Sequence, residues 1–175
     1  MDFADDLRAT VMRASAALRA FTPEQAAREL RPGKWSPAEI IGHLVDSASN
    51  NHQRFVRAQF RTDLRFDGYD QDAWVGAQAY RTASWPLLLD LWESFNLHLA
   101  RVMETTPQYV LRAVRNDHNL HQLAWEMVPE DEPVTLEYFM RDYVGHLKHH
   151  LRQIDPHLAD PPARQRAHQR SSGRA

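Results

Sequence analysis

Placed about 100° apart on a helix, Leu136, Met140, Tyr143, Val144, Leu147, Leu151 and Ile154 fall within one arc. An apolar arc of that width has to enter a core, so the chain must supply further elements that cover it. Thr135 can cap the start of this helix, and Pro156 cannot continue it. The same helix carries His146, His149 and His150. His150 lies at the edge of the apolar arc, His146 a little further round on the same side, and His149 points the opposite way, into solvent. His146 and His150, four residues apart, sit one above the other at the spacing a single metal ion can bridge. A lone structural histidine is common in such helices, so a metal needs a third ligand from elsewhere.

Three further amphipathic helices can be read. Residues 3–20 place Phe3, Leu7, Val11, Met12 and Leu18 at helical spacing. Thr22, Pro23 and Gln25 then open a short helix that Arg31, Pro32 and Gly33 stop. Ser36, Pro37 and Glu39 form a capping-box signature, and a long helix is expected from there to about residue 60. Its apolar arc holds Ile40, Ile41, Leu44, Ala48, Phe55 and Ala58. His43 flanks that arc, followed on the same side by Ser47, Asn50 and Arg54, while Asp46 and Ser49 face away as surface residues. Such a polar stripe lines something other than bulk solvent, or forms a hydrogen-bonded boundary. Ser84, Trp85 and Pro86 open the next long helix, to about residue 103, with Leu88, Leu91, Trp92, Phe95, Leu99 and Val102 on one face and His98 at its edge.

Between these helices periodicity fails. Residues 61–83 mix turn formers with aromatics and read as a long loop over one end of a bundle. Tyr69 and Trp74 in it are packing anchors or walls of a substrate pocket. Its acidic residues do not match an EF-hand. Residues 109–114 and 122–127 read as short strands or extended turns, with His118 and His121 exposed in the polar connection. The expectation is an all-α four-helix bundle over residues 1–158 with one or more long connections, followed by a disordered polar tail over 159–175.

Composition narrows the chemistry. The chain of 175 residues has room for one substantial core. A net charge of -2 argues against a nucleic-acid surface, and no run of apolar residues reaches membrane-spanning length. With no signal-peptide pattern at its start, the chain is expected to be cytoplasmic. There is no cysteine, so any metal must be held by imidazole and carboxylate. Packing the two histidine-bearing helices together can bring His43, His146 and His150 to one point. Three neutral imidazoles leave a coordination position open, the mark of a catalytic site, at which water or an imported thiolate could be activated. Asn50 and Arg54 would line the adjoining pocket, Arg54 as a candidate partner for an anionic substrate group. Glu39 is a candidate base or supporting partner, though its capping role explains it too. The alternative is a non-catalytic bundle whose metal is stored, sensed or used to stabilise a dimer.

Trp35-Ser36-Pro37 with Glu39 and Gly42-His43-Leu44, the segment from Tyr69-Asp70-Gln71 to Trp74, and Asp142-Tyr143 followed by His146, His150, Leu151, Gln153 and Ile154 together resemble the DinB/YfiT-like superfamily. The resemblance runs over about residues 4–156. It implies a four-helix bundle binding a divalent metal, often zinc or nickel, through three histidines that map onto His43, His146 and His150. It also implies a metal-dependent hydrolase, or a transferase using a low-molecular-weight thiol such as bacillithiol or mycothiol on a small-molecule substrate, commonly as a homodimer.

Overall fold

Helix starts in this chain are set by side-chain caps. Thr22 Oγ1 accepts from the Gln25 N–H while Gln25 Oε1 accepts from the Thr22 N–H, 3.2 and 2.8 Å apart. Ser36 and Glu39 repeat the arrangement at 3.3 and 2.8 Å. Each box satisfies two N–H groups that a helix start otherwise leaves unpaired. The computed structural model describes residues 2–160. Its helices are α1 (Asp2–Leu18), α2 (Pro23–Ala27), α3 (Pro37–Arg57), α4 (Gln71–Gln78), α5 (Trp85–Thr105), α6 (Gln108–Leu111), α7 (Leu120–Leu123), α8 (Leu136–Ile154) and α9 (Pro156–Ala159). No described residue lies in a strand; two isolated bridges pair Leu64 with His118 and Arg115 with Val134. No helix among the described residues is long and apolar enough to cross a membrane.

The long helices α1, α3, α5 and α8 form a four-helix bundle in which α1 and α3 each pack on both α5 and α8. Trp85 Nε1 donates to the Leu18 carbonyl and Arg8 meets Glu104, so α1 and α5 run antiparallel. Phe55 meets Phe139 while His43 meets His146, which sets α3 antiparallel to α8. Leu7, Leu18, Ile41, Leu44, Phe55, Leu89, Trp92, Leu99, Phe139 and Tyr143 fill the interior. Burying each such large side chain is worth about 1.5–3 kcal/mol, against about 0–1 for an exposed ion pair such as Arg141–Asp2. Hydrophobic burial therefore holds the bundle. A buried polar link joins α8 to α5, where the Tyr143 hydroxyl donates to Asn96 Oδ1 at 2.5 Å.

Several sequence expectations change here. The loop expected over 61–83 contains α4, whose start Asp70 caps through the Ala73 N–H at 3.0 Å. Of the short strands or extended turns expected at 109–114 and 122–127, no strand forms; α6 and α7 occupy part of that region, whose shape is set by pairing with distant backbone. That pairing buries His118 completely: Nε2 faces the Glu132 carbonyl at 2.7 Å and Nδ1 accepts from the Leu120 N–H at 3.2 Å. His121 is half-buried. Met12 and Leu91 are exposed, since the bundle covers a narrower stripe of α1 and α5 than their apolar patterns suggest. Asp46 faces away from the bundle axis yet is buried, because Gln78 and Tyr80 cross that side of α3 and donate to its Oδ1 at 2.7 and 2.8 Å. Beyond α8 the chain turns into α9, where Leu158 and Ala159 are buried and Arg13 donates to the Ala159 carbonyl. The expected tail otherwise falls on residues 161–175, outside those described.

Candidate metal centre

The antiparallel packing of α3 on α8 brings His43 against His146 and His150. Nε2 of His43 and Nε2 of His146 stand 3.4 Å apart, and the three residues offer ligand nitrogens that all lie within 4.8 Å of one another. The far nitrogens fix how the rings present themselves. His150 Nδ1 faces Gln153 Oε1 at 3.2 Å, which assigns its proton to Nδ1 and leaves Nε2 as the free lone pair. His146 Nδ1 faces Ser47 Oγ at 3.5 Å, and His43 Nδ1 is buried without a partner. The ring of Trp35 lies 5.1 Å from that of His43 and 6.4 Å from that of His150, closing one side of the cluster. His149 is exposed beside the cluster and not on the opposite side of α8, with its ring 5.4 Å from that of Trp125 and 5.3 Å from that of His150.

All three rings are held neutral. Burial pushes His43 down to about 3, with the neighbouring His150 adding to it. Burial likewise takes His150 to about 4 and His146 well below the ordinary imidazole range. Unfolded imidazoles take up protons near pH 6.5, whereas these stay unprotonated to well below that. Between those limits the unfolded chain binds more protons, so stability is present above about pH 6.5 and is lost as pH falls toward about 4. Melting of the metal-free protein should accordingly be level above about pH 7 and drop steadily below about pH 6.5, with a shallower drop in His43→Gln. Identical slopes for the two proteins would show that His43 is not one of the groups responsible.

The donor set fits a divalent metal ion. Two imidazole nitrogens on one tetrahedral zinc, each about 2.0–2.1 Å from it, stand about 3.3–3.4 Å apart. The His43–His146 separation of 3.4 Å matches that value. Neutral nitrogen ligands also suit zinc or nickel better than calcium or magnesium, which prefer oxygen.

A cavity of about 220 Å³ opens on the His43 and His146 side, walled by Ser47, Asn51, Arg54, Tyr69, Trp125, Asp142 and Tyr143 among others. Arg54 and Tyr69, expected from the sequence to line a pocket, do so. Burial raises the Tyr69 phenol to about 12, so it stays protonated. Trp74 does not reach the cavity; its ring backs that of Tyr69 at 4.8 Å. Asn50 is also absent from the wall and donates to the Asp46 carbonyl at 2.9 Å, its place being taken by Asn51. Glu39 is likewise absent, its Oε2 engaged by Ser36 and by Arg81 at 3.0 Å. Asn51, Trp35, Trp125 and Asp142 are site residues that the helix-face argument did not single out. Asn51 had a signal, since it falls about 80° from His43, inside the apolar arc of α3. Asp142 accepts from the backbone N–H groups of Trp125 and Glu126 at 3.0 and 2.8 Å, and so pins the segment that carries Trp125 over the cavity.

Fold and site together define a helical bundle with a partly buried three-imidazole cluster at the mouth of a polar cavity. The sequence profile of the DinB superfamily matches residues 6–154, and the chain belongs to that family. It is 25% identical over 139 residues to "Putative metal-dependent hydrolase YfiT" of Bacillus subtilis, covering 79% of this chain and 72% of that one. A Bacillus licheniformis protein with the same hydrolase designation is 25% identical over 134 residues, or 77% of this chain and 70% of the other. The solved structure of YfiT from Bacillus subtilis, described as having an unusual four-helix bundle topology, superposes with a TM-score of 0.70 at 22% identity. The match covers 87% of this chain and 82% of that one, and shows the shared fold.

Proposed function

We propose that His43, His146 and His150 hold one divalent metal ion, zinc or nickel, and that the protein is a metal-dependent enzyme acting on a small molecule in the adjoining cavity. The observation that carries this reading is the convergence of three neutral imidazoles from two helices, with His43 and His146 at the separation a shared ion requires. When bound, the ion would supply Lewis acidity beside the cavity. The chain's own residues do the rest. Gln153 and Ser47 orient the imidazoles, Trp35 shields them from bulk water, and Asn51 and Tyr69 offer hydrogen-bonding groups to a ligand in the cavity. The reaction is either hydrolysis or transfer to a low-molecular-weight thiol, which a chain without cysteine has to import. Zinc- or nickel-loaded protein incubated with monochlorobimane and with a panel of simple esters and amides, each with and without added thiols, separates the two. Acceleration confined to the thiol arms identifies transfer, and turnover without thiol identifies hydrolysis. Silence in every arm would defeat the enzymatic reading.

A further inference from the structure

Two arginines among the described residues are buried, and they are buried differently. Arg115, 5% exposed, points Nη1 at the carbonyls of Ala58, Arg61 and Asp63 at 3.1, 2.5 and 3.4 Å, and so closes the carbonyl end of α3. Arg54, 7% exposed, donates to a single carbonyl, that of Asp67, at 2.7 Å, and no ion pair joins it to any described carboxylate. A guanidinium has five N–H donors and stays charged even where burial lowers its pKa, as it does here. Withdrawing such a group from water is costly unless an opposite charge or several acceptors receive it. Arg115 has three carbonyl acceptors; Arg54 has one, with the Asp67 charge acting on it only from beyond ion-pair distance. Arg54 instead lines the cavity shared with His43 and His146, where it is the one cation among the described residues of the wall. Among the described residues of that wall the one carboxylate, Asp142, is occupied with the Trp125 and Glu126 N–H groups.

We propose that Arg54 is the anion-binding residue of this cavity, and that the substrate is a small molecule bearing an oxyanion group, a carboxylate or a phosphate. The planar fork of a guanidinium matches both groups with two parallel hydrogen bonds. Arg54 lies 11 residues after His43 on α3. At 1.5 Å per residue that is about 16 Å along the axis, shortened because side chains lean toward the helix start. The oxyanion and the reacting group thus occupy opposite ends of one cavity. At about 220 Å³ it is smaller than the ~300–1,000 Å³ of common ligand pockets, which limits the substrate to a few functional groups. On its outer side Arg54 also borders an open groove of about 470 Å³ walled in part by Arg57, Arg61 and Arg65. Arg61 and Arg65 are ion-paired there with Asp63, Asp117 and Glu130, so their charges are already answered.

The proposal rests on the cavity being the substrate side of the imidazole cluster, and its test reads metal and anion separately. Inorganic phosphate and succinate are titrated calorimetrically into the full chain, metal-free and zinc-loaded, for wild type, Arg54→Met, Arg54→Lys and Arg57→Met. Zinc content and melting temperature are measured for each. Expected is a loss of affinity of about tenfold or more in metal-free Arg54→Met, partial recovery with lysine, and little change in Arg57→Met. Zinc content should be unchanged throughout, and Arg54→Met should melt no earlier than wild type, because an under-paired buried charge has been removed. The tighter of the two anions identifies the oxyanion class. The proposal is overturned if wild type binds neither anion, if Arg54→Met binds them as wild type does, or if Arg57→Met loses as much. It also fails if Arg54→Met melts early and loses zinc, since Arg54 would then be a structural clamp on the Asp67 loop. Anion binding that survives while zinc does not bind to wild type would instead count against the metal assignment alone.

Discussion

His146→Ala is expected to take bound zinc from about one ion per chain to near zero, while His149→Ala leaves it unchanged. The two residues differ by less than one helical turn and share the same backbone, so the contrast isolates the direction of the ring. His146 presents Nε2 to His43 Nε2 at 3.4 Å. His149 is exposed beside the cluster, with its Nε2 turned to Gln153 at 3.2 Å and not to another ligand nitrogen. Losing one imidazole of three removes a direct ligand, a larger change than the ~10–100-fold that loss of an outer hydrogen-bond partner costs. Gln153→Ala, which frees His150 Nδ1, should fall in that lower range. Metal analysis of untagged protein, followed by competition with a chelator, reads all three. Equal losses from His146→Ala and His149→Ala would refute the helix-face assignment. Wild-type protein carrying well below one ion would mean that the 3.4 Å contact is a hydrogen bond between two imidazoles and that the cluster binds nothing.

The four long helices and the histidine pair were legible in the sequence because both depend on local rules. Capping boxes mark starts, and a 100° step sorts faces with no knowledge of neighbours. His43 could be matched to His146 and His150 for the same reason, since each stands at the rim of its own apolar arc. What periodicity cannot show is a second layer. Asp46 points away from the bundle axis and reads as surface, but residues 78–80 cross over it. His118 sits in a polar, aperiodic run and is fully buried by backbone pairing with residues far along the chain. That Asn51 and not Asn50 lines the cavity has a different origin. Polar residues were sought beside the apolar arc, whereas the cavity opens within it, between α3 and α8, where an asparagine facing the interior is available to a ligand.

Gly42→Ala should destabilise the protein severely, despite sitting inside a helix where alanine is normally the better residue. A Cβ at position 42 would stand 2.1 Å from Tyr80 Cδ2 and 2.2 Å from Cγ, far inside contact distance. The ring cannot swing aside cheaply. Tyr80 is 7% exposed, and its hydroxyl is tied to Asp46 Oδ1 at 2.8 Å and Gln78 Oε1 at 2.7 Å. Displacing it withdraws a donor from a carboxylate that is already buried and already lacks a partner on Oδ2. Overpacking costs about 1–3 kcal/mol, and losing a hydrogen bond to a buried charged group about 1.5–3 more. The helical preference for alanine over glycine returns only about 1. A net loss of about 1.5–5 kcal/mol corresponds to a fall of about 3–20 °C in melting temperature for a chain of this length. Tyr80→Ala removes the obstruction, so adding Gly42→Ala to it should cost little or even stabilise, and the two changes together should destabilise less than their separate effects would sum to. Because Gly42 precedes His43, the single variant should also bind zinc more weakly, and the double variant should recover part of that affinity. A Gly42→Ala protein melting within about 1 °C of wild type would show that the layer formed by residues 71–82 moves freely over α3. Asp46 would then owe its burial to a contact that the chain can give up.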